Sequence, residues 1–134
     1  ALIIVPFNYP LQLALTPLVG AIAAGNCAVI RTSHKTPEIS KVLNQIISET
    51  FTSDYIKMFL PEEISSKDIM QGDFDYIFFT GSTQAGRQIA KTAGERLIPY
   101  TLELGGKSPV IIDDTADLKV SARRVFHVSS SGFL

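Results

Sequence analysis

A few short runs in this sequence hold residue types that can do chemistry. Glu103-Leu104-Gly105-Gly106-Lys107 sets a carboxylate ahead of two glycines at the end of an apolar run. Such a carboxylate either serves as a general base beside a reactive centre or pairs with Lys107 across a turn. Asn8, between Phe7 and Tyr9-Pro10, either aims its amide at a developing oxyanion or caps the helix that Pro10 opens. Gly81-Ser82-Thr83-Gln84-Ala85-Gly86 joins an apolar run to a helix-like one. The N–H groups of a helix start, together with the Ser82 hydroxyl, can hold a phosphate; a plain tight turn is the alternative. Thr83 stands where GxGxxG has its middle glycine, and Arg87-Gln88 replaces the Lys-Ser/Thr pair of a P-loop. The usual dinucleotide pose and P-loop phosphotransfer are therefore both disfavoured.

Arg31-Thr32-Ser33-His34-Lys35 follows the second apolar run, where a doubly wound sheet meets the adenosine ribose of a dinucleotide. Its fixed positive charges would welcome a 2′-phosphate, or the segment is a solvated loop. His34 and His127 lack cysteine or carboxylate partners at zinc spacing, so no metal is expected. Cys27 falls in an apolar run and reads as a buried, inert thiol.

The elements that must position these residues alternate along the chain. Leu2–Val5, Cys27–Ile30, Ile56–Leu60, Tyr76–Thr80, Pro99–Leu104 and Val110–Ile112 read as strands. Between them, helices are expected from Pro10 to about Ala24, from Pro37 with Thr36 as N-cap, around Ser66–Gln71, and from Ser82 to about Arg96. A further helix is expected from Asp117 through Val125. In the second helix Ile39, Val42, Leu43, Ile46 and Ile47 form the expected inward face, and in the fourth Ile89, Ala90 and Ala93. Continuously apolar strands mark a sheet covered on both faces. Their alternation with helices implies right-handed βαβ units. The expected fold is α/β, a doubly wound Rossmann-like parallel sheet with helices on both faces. The loops after the strands should converge on one crevice.

Composition narrows the function classes. The 134 residues make at most one domain, and 12 basic against 13 acidic side chains give no reason to expect nucleic acid or an anionic membrane. A single cysteine excludes an internal disulfide and suits a reducing cytoplasm. The apolar stretch Leu11–Ala24 is too short to span a bilayer, and the start lacks the basic residues of a secretory leader. Residue 2 already lies in a strand-like run, so the chain is expected to be part of a larger fold.

Taken together and in order, these segments resemble the aldehyde dehydrogenase superfamily, and within it the class 3 branch. Pro6-Phe7-Asn8-Tyr9-Pro10-Leu11-Gln12-Leu13 is similar to that family's PWNYP signature, and the run from Pro17 to Asn26 continues it. Phe78-Phe79-Thr80-Gly81-Ser82-Thr83 and the run Thr101–Pro109 are two further signatures. The match extends from residue 1 to about Arg124. It implies NAD- or NADP-dependent oxidation of an aldehyde to an acid by a cysteine nucleophile, in a homo-oligomeric parent enzyme. Under the resemblance, Asn8 is the oxyanion donor and Glu103 the general base. Gly81, Ser82 and Gly86 belong to the pyrophosphate turn, and the Leu104 backbone meets the nicotinamide amide. Phe7 replaces the usual tryptophan beside the cofactor, and Arg31, Ser33 and His34 sit at the adenosine ribose.

Some departures stand out. The family's Lys-Pro-Ser-Glu is here Arg31-Thr32-Ser33-His34, so the ribose-holding acid has become His34. The family's nucleophilic cysteine would fall just past Leu134, and Phe126–Leu134 departs from the expected helix and asparagine loop. The resemblance thus implies a partial NAD(P)-binding domain over residues 1–134, without catalytic domain or oligomerisation arm. The competing reading is a non-catalytic nucleotide-binding fragment.

Overall fold

The structure, a computed structural model, describes the backbone of residues 1–130 and the side chains of residues 1–128. Strands β1 (Leu2–Ile4), β2 (Ala28–Arg31), β3 (Ile56–Phe59), β4 (Ile77–Gly81) and β5 (Tyr100–Leu104) form one parallel sheet in the order β3-β2-β1-β4-β5. Helices α1 (Pro10–Ala23), α2 (Pro37–Thr50), α3 (Ser66–Ile69) and α4 (Thr83–Glu95) connect them. These elements make a compact unit of Ala1–Leu104, and a second unit begins at Gly105.

Strand alternation explains the two cores. Ile3, Ile30 and Met58 point to one face and pack with Leu18 of α1 and Leu43 and Ile47 of α2. Leu2, Ile4, Ile77 and Phe79 point to the other, against Ile89 and Ala93 of α4 and Ile69 of α3. Adjacent residues of β1 thus serve opposite layers, which is why the strands read as continuously apolar. The doubly wound parallel fold stands as expected, with helices on both faces.

Helix starts follow the prolines. Pro10 and Pro37 occupy the first turns of α1 and α2, where their missing N–H is no loss. Tyr9, not Asn8, holds the N-cap position of α1, in a left-handed conformation at φ 46. Thr36 is the N-cap residue of α2, but its hydroxyl donates to the Ser33 carbonyl oxygen at 3.4 Å instead of accepting from the helix.

Three expectations need correction. In α2 the buried stripe is Ser40, Leu43 and Ile47, while Ile39, Val42 and Ile46 are 44%, 59% and 47% exposed. The apolar positions span a wider arc than one sheet contact covers, and at about 100° per residue the two rows lie roughly a quarter turn apart. Ser40 is buried because its hydroxyl donates to the Thr36 carbonyl oxygen at 2.8 Å. Cys27 is exposed and lies before β2, not within it. Strand β2 is shifted one residue later than expected, which leaves Cys27 in the turn after α1 and takes Arg31 into the strand. Val110–Ile112 forms no strand among the described residues, and Ile111 is 92% exposed. Branched residues favour an extended chain, but a strand exists only by pairing, and among the described residues from Gly105 onward there is no strand for it to pair with.

That second unit contains α5 (Leu118–Ser130), which runs past the expected Val125. Asp117 caps it, its Oδ1 accepting from the N–H groups of Lys119 at 2.9 Å and Val120 at 3.0 Å. The last four residues of the divergent Phe126–Leu134 segment lie outside the described residues.

One buried group is unsatisfied. Thr32, directly after β2, is 1% exposed and its Oγ1 has no hydrogen-bond partner. Replacing an orphaned hydroxyl with a methyl of the same shape removes a desolvation penalty. Thr32→Val is therefore expected to raise the unfolding free energy by about 1 kcal/mol. Urea denaturation checks this; a fall in the midpoint would mean that the hydroxyl has a partner in solution.

Candidate functional site

Because all five strands run the same way, the loops that follow them share one edge of the sheet. β1 lies between β2 and β4, so the chain leaves it toward one side through α1 and reaches the other later through β4. This is the switch point at which doubly wound sheets open a crevice. The loop after β1 carries Phe7 and Asn8, the loop after β2 carries Ser33, His34 and Lys35, and Ser82 follows β4. Glu103 and Leu104 end β5, in register with Thr80 and Gly81.

The turn from β4 into α4 is shaped by two close approaches. A Cβ on Gly81 would stand 2.6 Å from the Phe79 ring, and one on Gly86 would stand 2.6 Å from Leu104 Cδ2. Gly86 thus lets α4 lie directly against the end of β5. Ser82 caps α4: its Oγ accepts from the Ala85 N–H at 3.2 Å, and its carbonyl accepts from the Gly86 N–H at 2.9 Å. The N–H groups of Thr83 and Gln84 have no acceptor in the helix ladder and sit in an exposed first turn. An anion can be held there by backbone donors and the helix dipole. A dinucleotide diphosphate fits this arrangement at the helix start, not deep in a glycine turn, because Thr83 occupies the middle position. Glu103 is exposed one strand away, beside the same turn.

The β2–α2 segment is divided between inside and outside. Arg31 is 8% exposed; its Nε donates to the Ile64 carbonyl oxygen at 3.2 Å and its Nη1 to the Thr32 carbonyl oxygen at 3.3 Å. Burial lowers its pKa. Arg31 therefore ties the chain before α3 to the sheet, and its donors are not presented to the crevice as a free fork. Ser33 organises the turn, its Oγ accepting from the Lys35 N–H at 3.3 Å and its carbonyl from the Thr36 N–H at 3.3 Å. His34 and Lys35 are exposed on that turn. Lys35 Nζ stands 4.7 Å from the centroid of the Phe7 ring, which is itself 47% exposed.

The structure thus places the sequence-derived residues on one edge, with direct contact between Gly86 and Leu104. Of the fixed positive charges that the sequence places on this segment, Arg31 is buried and Lys35 is the one that reaches the β1–α1 loop. Among the described residues no group of three or more His, Cys, Asp or Glu is placed to hold a metal ion, and no helix is long and apolar enough to cross a membrane.

Comparison with known proteins agrees with this architecture. A family model described as the aldehyde dehydrogenase family matches residues 1–131. The chain is 48% identical over 124 residues to 4,4'-diaponeurosporen-aldehyde dehydrogenase of Staphylococcus aureus, covering 92% of this chain and 27% of that protein. It is 42% identical over 124 residues to aldehyde dehydrogenase family 3 member B1 of Homo sapiens, covering 92% and 26%. Among solved structures, Staphylococcus aureus AldH in a substrate-bound state superposes with a TM-score of 0.85 at 48% identity, covering 94% of this chain and 28% of that one. Betaine aldehyde dehydrogenase from Staphylococcus aureus in complex with NAD+ gives 0.79 at 32% identity, covering 94% and 26%. The chain spans about a quarter of the length of these relatives.

The two glycines should respond differently to a methyl group. Phe79 is 5% exposed and locked in the core, so Gly81→Ala must displace packed atoms. It is expected to cost about 1–3 kcal/mol. Leu104 is 38% exposed and its tip can swing outward. With the helical preference of alanine over glycine in its favour, Gly86→Ala should stay within about 1 kcal/mol of the parent. Urea unfolding of both variants checks this; equal losses would show that Leu104 is as confined as Phe79.

Proposed function

The chain belongs to the aldehyde dehydrogenase family, and from that premise we propose that it is the partial cofactor-binding domain of an enzyme that oxidises an aldehyde to a carboxylic acid with NAD or NADP. The observation that carries the reading is the start of α4, where exposed N–H groups outside the helix ladder follow Ser82 at the switch-point edge, with Glu103 at the end of the adjacent strand β5. Solved relatives bind NAD+, which supports the same reading.

In this proposal each residue has a separable task. The Ser82 hydroxyl and the first N–H groups of α4 hold the diphosphate, with Gly81 and Gly86 giving the turn its shape. Leu104 contributes its backbone to the nicotinamide end, and Phe7 lies along the cofactor. Ser33 and His34 meet the adenosine ribose. Arg31 acts on that loop from inside, through its bonds to the Ile64 and Thr32 carbonyls. The bound cofactor supplies the hydride acceptor. Asn8 donates its side-chain amide N–H to the oxyanion of the attacked carbonyl, where a positioned donor is worth about 2.7–4 kcal/mol. Glu103 takes the proton from the attacking thiol or from the hydrolytic water. Cys27 is not that thiol, because it lies before β2, at the edge of the sheet opposite Asn8 and Glu103.

The proposal extends to a homo-oligomeric parent enzyme, supported by the exposed row Ile39, Val42 and Ile46. It extends also to the cytoplasm, supported by a single, unpaired, exposed cysteine.

Calorimetric titration of the chain with NAD tests the cofactor reading. Saturable binding is expected, weakened about tenfold or more by Ser82→Glu, which sets a carboxylate against the diphosphate. Absence of binding, or binding indifferent to Ser82→Glu, would refute it. With aldehyde and cofactor together, no reduced cofactor should accumulate in the near-ultraviolet absorbance, since the chain's one thiol sits at the wrong edge.

A further inference from the structure

We infer that Lys35 is a positioning residue whose ammonium holds one face of the Phe7 ring and so turns the other face to the cofactor, an inference that rests on the cofactor-binding reading above. The backbone around Phe7 is constrained from both sides. Pro6 before it is buried, and Tyr9 beyond it sits in a left-handed conformation at the cap of α1. The Phe7 ring itself is not held by packing. Phe7 is 47% exposed and belongs to neither apolar core. A side chain so placed can exchange between staggered rotamers unless a group outside the core selects one of them.

That group comes from the neighbouring loop. Lys35 Nζ stands over the ring, 4.7 Å from its centroid, within the range at which the negative face of an aromatic ring attracts a cation. The lysine is delivered from a firm support. Its N–H donates to Ser33 Oγ at 3.3 Å, the Thr36 N–H donates to the Ser33 carbonyl oxygen at 3.3 Å, and Pro37 opens α2 directly afterwards. Among the described residues Lys35 makes no ion pair, and the nearest carboxylate in sequence, Glu38, is bound to Lys41 Nζ at 3.0 Å. No acid therefore draws the ammonium away from the ring. The loops after β1 and β2, already registered by the pairing of their strands, are joined a second time through these side chains. Asn8 follows Phe7 directly, so the contact acts on the segment that carries the proposed oxyanion donor.

Two measurements on the chain test this. In the proton NMR spectrum the Lys35 ε-methylene resonances should lie upfield of the ordinary lysine position, because they sit over the ring, and should return to it in Phe7→Leu. Calorimetric titration with NAD then runs as a double-mutant cycle. Lys35→Met should weaken NAD by about two- to fivefold. Lys35→Arg should keep the parent affinity, since a guanidinium also stacks on an aromatic face. In the Phe7→Leu background neither substitution should change NAD affinity further. A loss on Lys35→Met that persists in Phe7→Leu would mean that the lysine acts on the cofactor directly, and overturns the inference. Absence of the upfield shift, or NAD affinity indifferent to Lys35→Met, overturns it as well; each of these outcomes leaves the cofactor reading standing. Failure of NAD to bind the parent chain overturns the two together.

Discussion

The arrangement depends on β1, three residues held between two strands and two cores. Leu2, Ile3 and Ile4 are 0%, 2% and 5% exposed. The backbone of this strand pairs with β2 on one side and with β4 on the other. The flanking bonds continue that ladder, Val29 N–H to the Ala1 carbonyl at 2.8 Å and Val5 N–H to the Arg31 carbonyl at 2.9 Å. A strand paired on both edges and covered on both faces has nowhere to slip, because a one-residue shift would exchange Ile3 with Leu2 and Ile4 between the layers. The residues that follow it, Phe7 and Asn8, are therefore delivered to a fixed place. The loops after β2 and β4 are registered against them by the same ladders.

Close packing transmits that order to the edge. Gly86 allows α4 to rest on Leu104, and Leu104 is in register with Gly81. The start of α4, the end of β5 and the last residue of β4 thus share one contact. Arg31 plays the corresponding part on the far side. A buried guanidinium is tolerated only when its donors are satisfied, and its partners at Ile64 and Thr32 join the chain before α3 to the end of β2. Thr32 shows how tight that corner is, since its hydroxyl is enclosed without a partner.

Much of this was legible in the sequence, for identifiable reasons. Continuous apolar runs separated by proline-started helices are enough to read a covered parallel sheet, and the motif residues fall at strand ends because the fold puts loops there. What escaped reading turns on shifts of one residue or on tertiary choice. Cys27 and Arg31 exchanged inside for outside because β2 begins and ends one residue later than the apolar run suggests. In α2, both apolar rows satisfy a helical period, and only contact with the sheet decides that Leu43 and Ile47 go in while Val42 and Ile46 stay out. Val110–Ile112 has the composition of a strand, but pairing is a property of two segments and cannot be read from one. At the site, identity was readable while availability was not: a sequence shows that Arg31 and Lys35 are cations, not which of them has free donors.

The strand order also lays out the edge electrostatically. From β2 through β1 and β4 to β5, the loops present the Lys35 ammonium, the Phe7 and Asn8 segment, the open N–H groups of α4 and the Glu103 carboxylate. Positive and donor groups occupy the first three positions, and the only acid among these is the last. Under the proposed function this gradient orients a dinucleotide without a glycine-rich cradle. Its anionic groups fall toward Lys35 and the helix start, and its neutral reactive end falls toward Glu103. The same separation keeps the carboxylate from pairing with the lysine, because two further strands lie between β2 and β5. Glu103 and Lys35 are thus held apart by the strand order itself. Were β5 next to β2, the acid and the cation would sit on neighbouring loops, so their separation follows from topology before any side chain is chosen.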